Sequence, residues 1–355
     1  MFTIILFIIV LIVLILIHEI GHFFTARIFG IRVEEFGLGF PPRIFSWRKG
    51  KTNYSLNWLP FGGFVKIKGE DGEKGNDLDS FSSRPIWQRS VVLISGVFMN
   101  FLLAGFLFSI GFGIGMQAID SSKDINIKNA EVQILNVAKE SPAEIAGLKI
   151  GDNILEIKNN ESSIVIESIK DIQNYINDHK GENIVLTIER GKEVFERKVF
   201  ARENYPNNEG SIGISLAKVG IISYPWDKAI IKGFEKAALN FAAIIVAIIM
   251  LIKDLILSGE VSADIAGPVG IARLTGQFYD LGVSYFINFV GIISLNLAVL
   301  NILPIPALDG GRLFFVIIEK IRRKKMDREI EAKIHGAFFI ALIILIIIIT
   351  IGDIF

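Results

Sequence analysis

The sequence predicts a polytopic α-helical membrane protein with four transmembrane helices and an inserted, water-exposed, β-rich domain. The 355 residues are 51% hydrophobic and only 21% charged, with a mean hydropathy of +0.50, which is more apolar than a soluble domain usually is. Four apolar stretches are long enough, or nearly so, to cross about 30 Å of hydrocarbon as helices. They lie at roughly 2–24, 91–116, 281–303 and 334–351.

The first apolar stretch is interpreted as a permanent span and not as a cleaved signal peptide. It has no basic segment before the apolar run and no small-residue cleavage site, and its far end carries ionisable residues. Lys and Arg are concentrated in the loop that follows it and in the segment before the fourth stretch. By the positive-inside rule both face the cytoplasm, so Met1 and everything from about 117 to 280 are expected outside.

Charge and cysteine content exclude several classes of function. Lys+Arg and Asp+Glu balance at 37 each, so no global charge excess would attract nucleic acid. The chain has no Cys, which excludes disulfides, thiolate metal sites and Cys nucleophiles.

A fifth apolar run, 237–252, is 16 residues long and is bounded by Lys236 and Lys253. Lysines repeat every four residues before it, at Lys228, Lys232 and Lys236. A polar stripe that leads into a short apolar stretch favours an amphipathic helix at the outer membrane surface. A shallow re-entrant helix is the alternative.

The region between the second and third spans has the composition of a soluble domain. Its segment Ser141–Asp152 predicts a short helix ended by Gly147, then a tight turn and a strand. This pattern resembles the core of a bacterial PDZ domain, over about 128–203, and implies peptide binding or gating. A structural ectodomain without a ligand is the alternative. We therefore divide the chain into four parts. Residues 1–116 form a first membrane part and 117–205 the PDZ domain. Residues 206–280 contain the surface helix, and 281–355 form a second membrane part.

An H-E-x-x-H pattern, His18-Glu19-Ile20-Gly21-His22, stands near the end of the first span. In a helix His18 and His22 lie one above the other, so two imidazoles can reach one metal, and Glu19 lies about 100° further round. Three ionisable residues within five positions of a membrane segment are costly, which favours metal ligation over a chance match. Zinc in such a site activates water, and Glu19 can take the proton of that water and deliver it to the leaving amine.

A third ligand must lie at the same depth, about 24 Å along the first helix and so just inside the cytoplasmic boundary of the hydrocarbon. Asp309 is the only carboxylate from Leu281 to Ile318, in a run broken by two prolines and two glycines, and we expect it to be this ligand. Its alternative role is an N-cap for a helix that begins near Arg312. The other histidines, His179 and His335, are expected to be ordinary surface or interfacial residues.

Four features together resemble the site-2 protease family of intramembrane zinc metalloproteases, and most nearly its bacterial regulator-of-sigma-E protease group. They are the H-E-x-x-H pattern, the N-x-x-P-x-P-x-L-D-G-G run from Asn301 to Gly311, a single PDZ-like insertion, and Gly267-Pro268-Val269-Gly270. The resemblance implies one Zn²⁺ per chain, held by His18, His22 and Asp309, with Glu19 as catalytic base and Asn301 against the substrate backbone. Some members have two PDZ domains, whereas this chain has room for one.

The resemblance also implies the substrates and the compartment. We expect cleavage of transmembrane segments of single-span membrane proteins, such as anti-sigma factors or remnant signal peptides, in the bacterial cytoplasmic membrane. Besides these substrates the partner is the lipid bilayer, with no nucleic acid, and the oligomeric state is left open. The alternative is a non-catalytic, membrane-anchored PDZ adaptor. A transporter is disfavoured because the two halves of the chain show no internal symmetry.

Two further segments resemble family elements. Pro60 to Lys66 looks like a membrane-associated β-hairpin loop, whose edge near Gly62, Gly63 and Phe64 could pair with an unwound substrate. A cytoplasmic hairpin stabilised by glycine turns is the alternative. In the second span a G-x-x-x-N element ends at Asn100, which either steadies the site or reflects helix packing through small residues.

Overall fold

The computed structural model describes residues 2–70, 77–119, 128–159, 161–191, 193–206, 209–259, 266–324 and 326–354. The chain forms two compact units. The helical unit comprises residues 1–109, 230–276 and 289–355, and the sheet unit comprises residues 110–229 and 277–288.

Among the described residues, five helices are long and apolar enough to cross a membrane. They are α1 (Phe2–Ile28), α2 (Ile86–Ile114), α5 (Trp226–Ser258), α7 (Val283–Ile302) and α9 (Arg328–Ile354). The polytopic helical class is confirmed, but the predicted number of four is not. The additional helix is α5, which has 33 residues and contains the run 237–252. It also includes the lysine stripe that precedes this run, and it continues past Lys253 to Ser258, since lysine is a good helix former.

Helices α1, α2 and α7 pack closely through small residues. A Cβ added at Gly21 of α1 would lie 2.5 Å from the carbonyl oxygen of Ser95 in α2, and Thr25 Oγ1 lies 2.9 Å from Ser95 Oγ. Helix α7 joins them where Ser294 Oγ donates to the carbonyl oxygen of Asn100, at 2.8 Å. Small residues allow this close backbone approach, which apolar burial alone would not drive within lipid.

Two shorter helices flank α7 in the sequence. Helix α6 (Pro268–Asp280) precedes α7, and α8 (Asp309–Arg322) follows it. The N-terminus of α6 is held by Asp353 near the end of α9, because Asp353 Oδ1 accepts from Gly267 N at 3.0 Å and Oδ2 accepts from Gly270 N at 2.8 Å.

Strands β1 (Val33–Lys49) and β2 (Thr52–Ile67) form a hairpin in the helical unit. The strands bend, so residues 35–38 of β1 pair with β2 on both sides, at 53–56 and at 63–66. The segment 63–66 therefore forms one edge of this sheet. Several large apolar side chains of the hairpin are exposed, including Phe45, Trp47 and Trp58.

The described part of the sheet unit contains seven strands and the helices α3 and α4. The strand order is β3-β9-β4-β5-β7-β8, and β6 pairs with β5. The strands are β3 (Met116–Ile119), β4 (Lys128–Val137), β5 (Asn153–Lys158), β6 (Ser163–Val165), β7 (Asn183–Arg190), β8 (Glu193–Phe200) and β9 (Ile214–Ile222), and the helices are α3 (Pro142–Ile145) and α4 (Ile169–Asp178). The sheet thus extends past residue 205, the limit that we expected for the inserted domain.

The segment Ser141–Asp152 has the local structure that its residues predict. Ser141 caps α3 by accepting from Glu144 N, and the chain reverses at Gly147, which has φ +76°. Asp152 is fully buried and is held by Arg190, whose Nε lies 2.6 Å from Asp152 Oδ1 and whose Nη2 lies 2.7 Å from Oδ2. The PDZ assignment itself stays a prediction.

Candidate metal centre

Three side chains from two distant parts of the sequence converge in the helical unit. His18 Nε2 lies 2.9 Å from Asp309 Oδ2, His22 Nε2 lies 3.2 Å from the same oxygen, and the two Nε2 atoms are 3.2 Å apart. Both histidines are buried. Helix α8 begins at Asp309 itself, and its N-cap, Leu308, makes no side-chain capping bond. Asp309 is therefore directed at the histidines, and the N-cap alternative does not describe the structure.

This arrangement fits zinc. A tetrahedral ion with bonds of about 2.0–2.1 Å places its donor atoms about 3.3 Å apart, close to the observed 2.9–3.2 Å. Two imidazoles and one carboxylate, which leave a fourth position open, are a common donor set of catalytic zinc. In the part of the chain that the structure describes, this is the one group of His, Asp and Glu side chains with such spacing.

Helix α2 supplies the partners that orient the two imidazoles. His22 Nδ1 lies 2.8 Å from the carbonyl oxygen of Val92. Because a carbonyl only accepts, Nδ1 carries the proton and the Nε2 lone pair points into the site. His18 Nδ1 lies 3.4 Å from Asn100 Nδ2, while Asn100 Oδ1 is buried without a hydrogen-bond partner. Turning the Asn100 amide so that its oxygen faces His18 gives His18 Nδ1 the same kind of acceptor and leaves its Nε2 lone pair free for the site.

Gly96 lies between these two partners, one helical turn from each. A Cβ at Gly96 would overlap His22 Nε2 and would lie 2.6 Å from His18 Cε1 and 2.7 Å from His18 Nε2. Only glycine leaves room there for the two imidazoles to share an ion. The sequence analysis identified the G-x-x-x-N element that begins at Gly96, but it gave Gly96 no role and missed the Val92 carbonyl.

Glu19 of α1 lies beside the hairpin edge. A Cβ at Gly63 would be 3.5 Å from Glu19 Cγ and 3.4 Å from Ile15 Cγ2, so strand β2 runs directly beside the catalytic candidate. Gly62 precedes it with φ +142°, and the Phe64 ring packs over Gly37.

Asn301 lies in the last turn of α7. Neither Asn301 nor Phe64 makes a hydrogen bond to the three donor side chains within the described residues. The structure thus places Gly63 beside Glu19 but gives Asn301 no direct bond to the metal donors.

Comparisons with known proteins agree with this site. The model of peptidase family M50 matches residues 6–346. A Clostridium perfringens protein named as a zinc metalloprotease is 34% identical over 345 residues, covering 96% of this chain and 95% of the relative. Zinc metalloprotease RasP of Geobacillus kaustophilus is 28% identical over 432 residues, which cover 99% of this chain and 97% of the relative. The chain therefore belongs to peptidase family M50, the site-2 protease family, and is a membrane zinc metalloprotease.

Proposed function

We propose that this protein hydrolyses a peptide bond within or beside the transmembrane segment of a single-span membrane protein. Zinc is held by His18, His22 and Asp309, and Glu19 is the general base. The convergence of the three donor atoms at 2.9–3.2 Å inside the helical unit carries this proposal. The substrate class, with anti-sigma factors and remnant signal peptides as examples, comes from the family resemblance.

The residues of the chain divide the chemistry between them. When bound, zinc supplies a Lewis acid that polarises the scissile carbonyl and lowers the pKa of water. Glu19 follows the ligand His18 directly and lies beside strand β2, so its carboxylate is placed to accept a proton and to deliver it to the leaving amine. Helix α2 contacts the Nδ1 atom of each histidine and thereby orients both Nε2 atoms toward the ion that they would hold.

The edge of β2 at 63–66 is placed to hold the substrate. A transmembrane helix hides its peptide groups in internal hydrogen bonds, so a protease must bind it unwound and must satisfy the freed groups. Pairing with an exposed strand edge supplies such bonds, and Gly63 brings this edge next to Glu19. We propose that Gly62, Gly63 and Phe64 bind one side of the substrate backbone and that Asn301 binds the other.

We place Met1 and the sheet unit outside the cytoplasm and the metal centre near the cytoplasmic side of a bacterial inner membrane. The basic loops support this orientation. Gly276 of α6 lies against Thr3, and Asp353 holds the start of α6, so α6 lies level with the beginning of α1 and the end of α9. The sequence between α5 and α6 is short and contains Glu260 and Asp264, whose charges would be costly within lipid if α5 crossed the membrane completely. Because Trp226, Phe234 and Phe241 of α5 lie successively deeper along α2, we propose that α5 is re-entrant and not interfacial, and that four helices span.

The sheet unit offers a means of selecting substrates. A cavity of about 400 Å³ lies between α4 and the start of β9, lined by Ile172, Ile176 and Leu216 among others. We propose that this unit either binds a peptide in that cavity or excludes substrates with bulky extracytoplasmic domains. Deleting residues 128–203 should permit cleavage of untrimmed substrate if exclusion operates. Unchanged selectivity after the deletion would count against a filter.

The decisive test of the activity uses the full chain in lipid nanodiscs with a reporter transmembrane segment. Wild type should cleave the reporter, and Glu19→Gln should keep its zinc and lose cleavage. Glu329→Gln, which changes an exposed carboxylate of α9, is the matched control and should cleave normally. Cleavage by Glu19→Gln would remove Glu19 from the mechanism, and zinc-loaded wild type without turnover would favour the adaptor.

A further inference from the structure

The turn that carries Asp309 contains a strained residue. Leu308 N donates to the carbonyl oxygen of Ile305 at 3.1 Å, which closes a four-residue turn with Pro306 second and Ala307 third. Ala307 has φ +83°. This is the type II turn, whose third position favours glycine because a Cβ is disfavoured at positive φ. Something outside the turn must therefore help to hold Ala307.

His335 of α9 supplies that contact. The Ala307 amide donates to His335 Nδ1 at 2.8 Å. Since Nδ1 accepts, the proton of the neutral ring is on Nε2, which lies 3.9 Å from Glu331 Oε1 one turn earlier in the same helix. The ring also packs edge-on against Phe315 of α8, with centroids 5.4 Å apart. The expectation that His335 is an ordinary surface or interfacial residue is therefore wrong.

The turn has little freedom to move independently of Asp309. Added Cβ atoms at Gly310 and Gly311 would overlap the backbones of Ile302 and Ile305 respectively, so the start of α8 is packed tightly onto the chain that precedes it. A shift at Ala307 is consequently passed to Asp309, two residues further on. The position of the Asp309 carboxylate is sensitive to whatever fixes Ala307.

We propose that His335 is a positioning residue for the metal centre: by accepting from the Ala307 amide it holds a strained turn and thereby sets the position of Asp309. This rests on the proposed ligand role of Asp309. Helix α9 thus contributes to zinc affinity without touching the ion. Removing an outer partner of a metal ligand typically weakens metal binding 10- to 100-fold, and the effect here should fall at the lower end because it acts through two residues.

A double-mutant experiment on the full-length protein separates positioning from general packing. His335→Leu removes the acceptor and should raise the zinc dissociation constant about tenfold and lower the melting temperature of the metal-free protein. His335→Asn keeps an acceptor near the place of Nδ1, so it should retain most of the zinc affinity and most of the melting temperature. Ala307→Gly removes the strain of the turn. The loss of zinc affinity caused by His335→Leu should therefore be several-fold smaller in the Ala307→Gly background.

Two control variants are available in the same chain. His179→Leu removes the other non-ligand histidine, which lies in the sheet unit, and should leave zinc affinity unchanged. Arg323→Gly relieves a positive φ of +52° at the far end of α8 and should not lessen the loss caused by His335→Leu. The proposal is overturned if His335→Leu binds zinc like wild type, or if Arg323→Gly rescues it as well as Ala307→Gly does.

A measurement on wild type keeps the proposal testable should His335→Leu not fold. In ¹⁵N-histidine spectra, the His335 signal is identified as the one that is missing from His335→Asn. In wild type this signal should show a protonated Nε2 and an unprotonated Nδ1. A protonated Nδ1 of His335 would overturn the proposal. Failure of the metal site itself would be seen separately, as wild type without stoichiometric zinc.

Discussion

Replacing Gly96 by alanine tests the metal centre through a residue that is not a ligand. The new Cβ would overlap His22 Nε2 and lie 2.6 Å from His18 Cε1, whereas ordinary carbon contacts begin near 3.4 Å. The imidazoles would have to retreat by about 0.8 Å, but metal–ligand distances tolerate only about 0.2 Å. We therefore expect Gly96→Ala to lose at least nine-tenths of its zinc and its activity, with about 1–3 kcal/mol of destabilisation from overpacking.

The matched control is Gly105→Ala in the same helix. Its Cβ would lie 2.5 Å from Phe234 Cε1, so the steric conflict is similar but involves no metal donor. Both variants should be destabilised to a similar extent in detergent, as measured by thermal unfolding. Zinc content, measured by mass spectrometry of the purified proteins, should fall only in Gly96→Ala. Full zinc occupancy in Gly96→Ala would refute the geometry that we assign to α2.

Three further outcomes are expected. Asn100→Leu should weaken zinc binding 10- to 100-fold by removing the acceptor for His18 Nδ1, whereas Asn100→Asp should preserve affinity; equal losses in a zinc competition titration would contradict this role. Arg190→Ala leaves the Asp152 carboxylate buried and unpaired and should destabilise the sheet unit by about 3 kcal/mol in a denaturant titration, so a loss below about 1 kcal/mol would argue against the pair. Burial, and secondarily a neighbouring carboxylate, raise the pKa of Glu131 above its ordinary value of 4.5; its contribution to stability therefore falls as pH rises through that raised pKa, and Glu131→Gln should gain melting temperature over wild type at neutral pH but not at about pH 4.

Much of the metal centre could be predicted from the sequence because its signals are local. The spacing of His18 and His22 places both imidazoles on one helical face. Asp309 is the only carboxylate of its membrane segment, where an ionisable residue needs a reason. The structure brings these three together as expected, in a chain whose family is confirmed.

Other features were beyond reach because they depend on partners that are distant in sequence. The Val92 contact uses a backbone carbonyl, which leaves no trace in residue type. His335 binds the turn from another helix, 28 positions away. The apolar run 237–252 does not by itself reveal that α5 has 33 residues and is long enough to cross a membrane. Sequence patterns indicate faces and spacing, whereas the packing between helices decides which side chains meet.

The most direct test of the central claim is zinc K-edge X-ray absorption on the purified full-length protein, compared with Asp309→Ala. Wild type should show one zinc per chain with two imidazole nitrogens at about 2.0–2.1 Å and oxygen donors that include a carboxylate. Asp309→Ala should bind zinc far more weakly and lose the carboxylate contribution. A wild-type spectrum without two imidazoles, or one unchanged in Asp309→Ala, would contradict the assignment of His18, His22 and Asp309 as the zinc ligands.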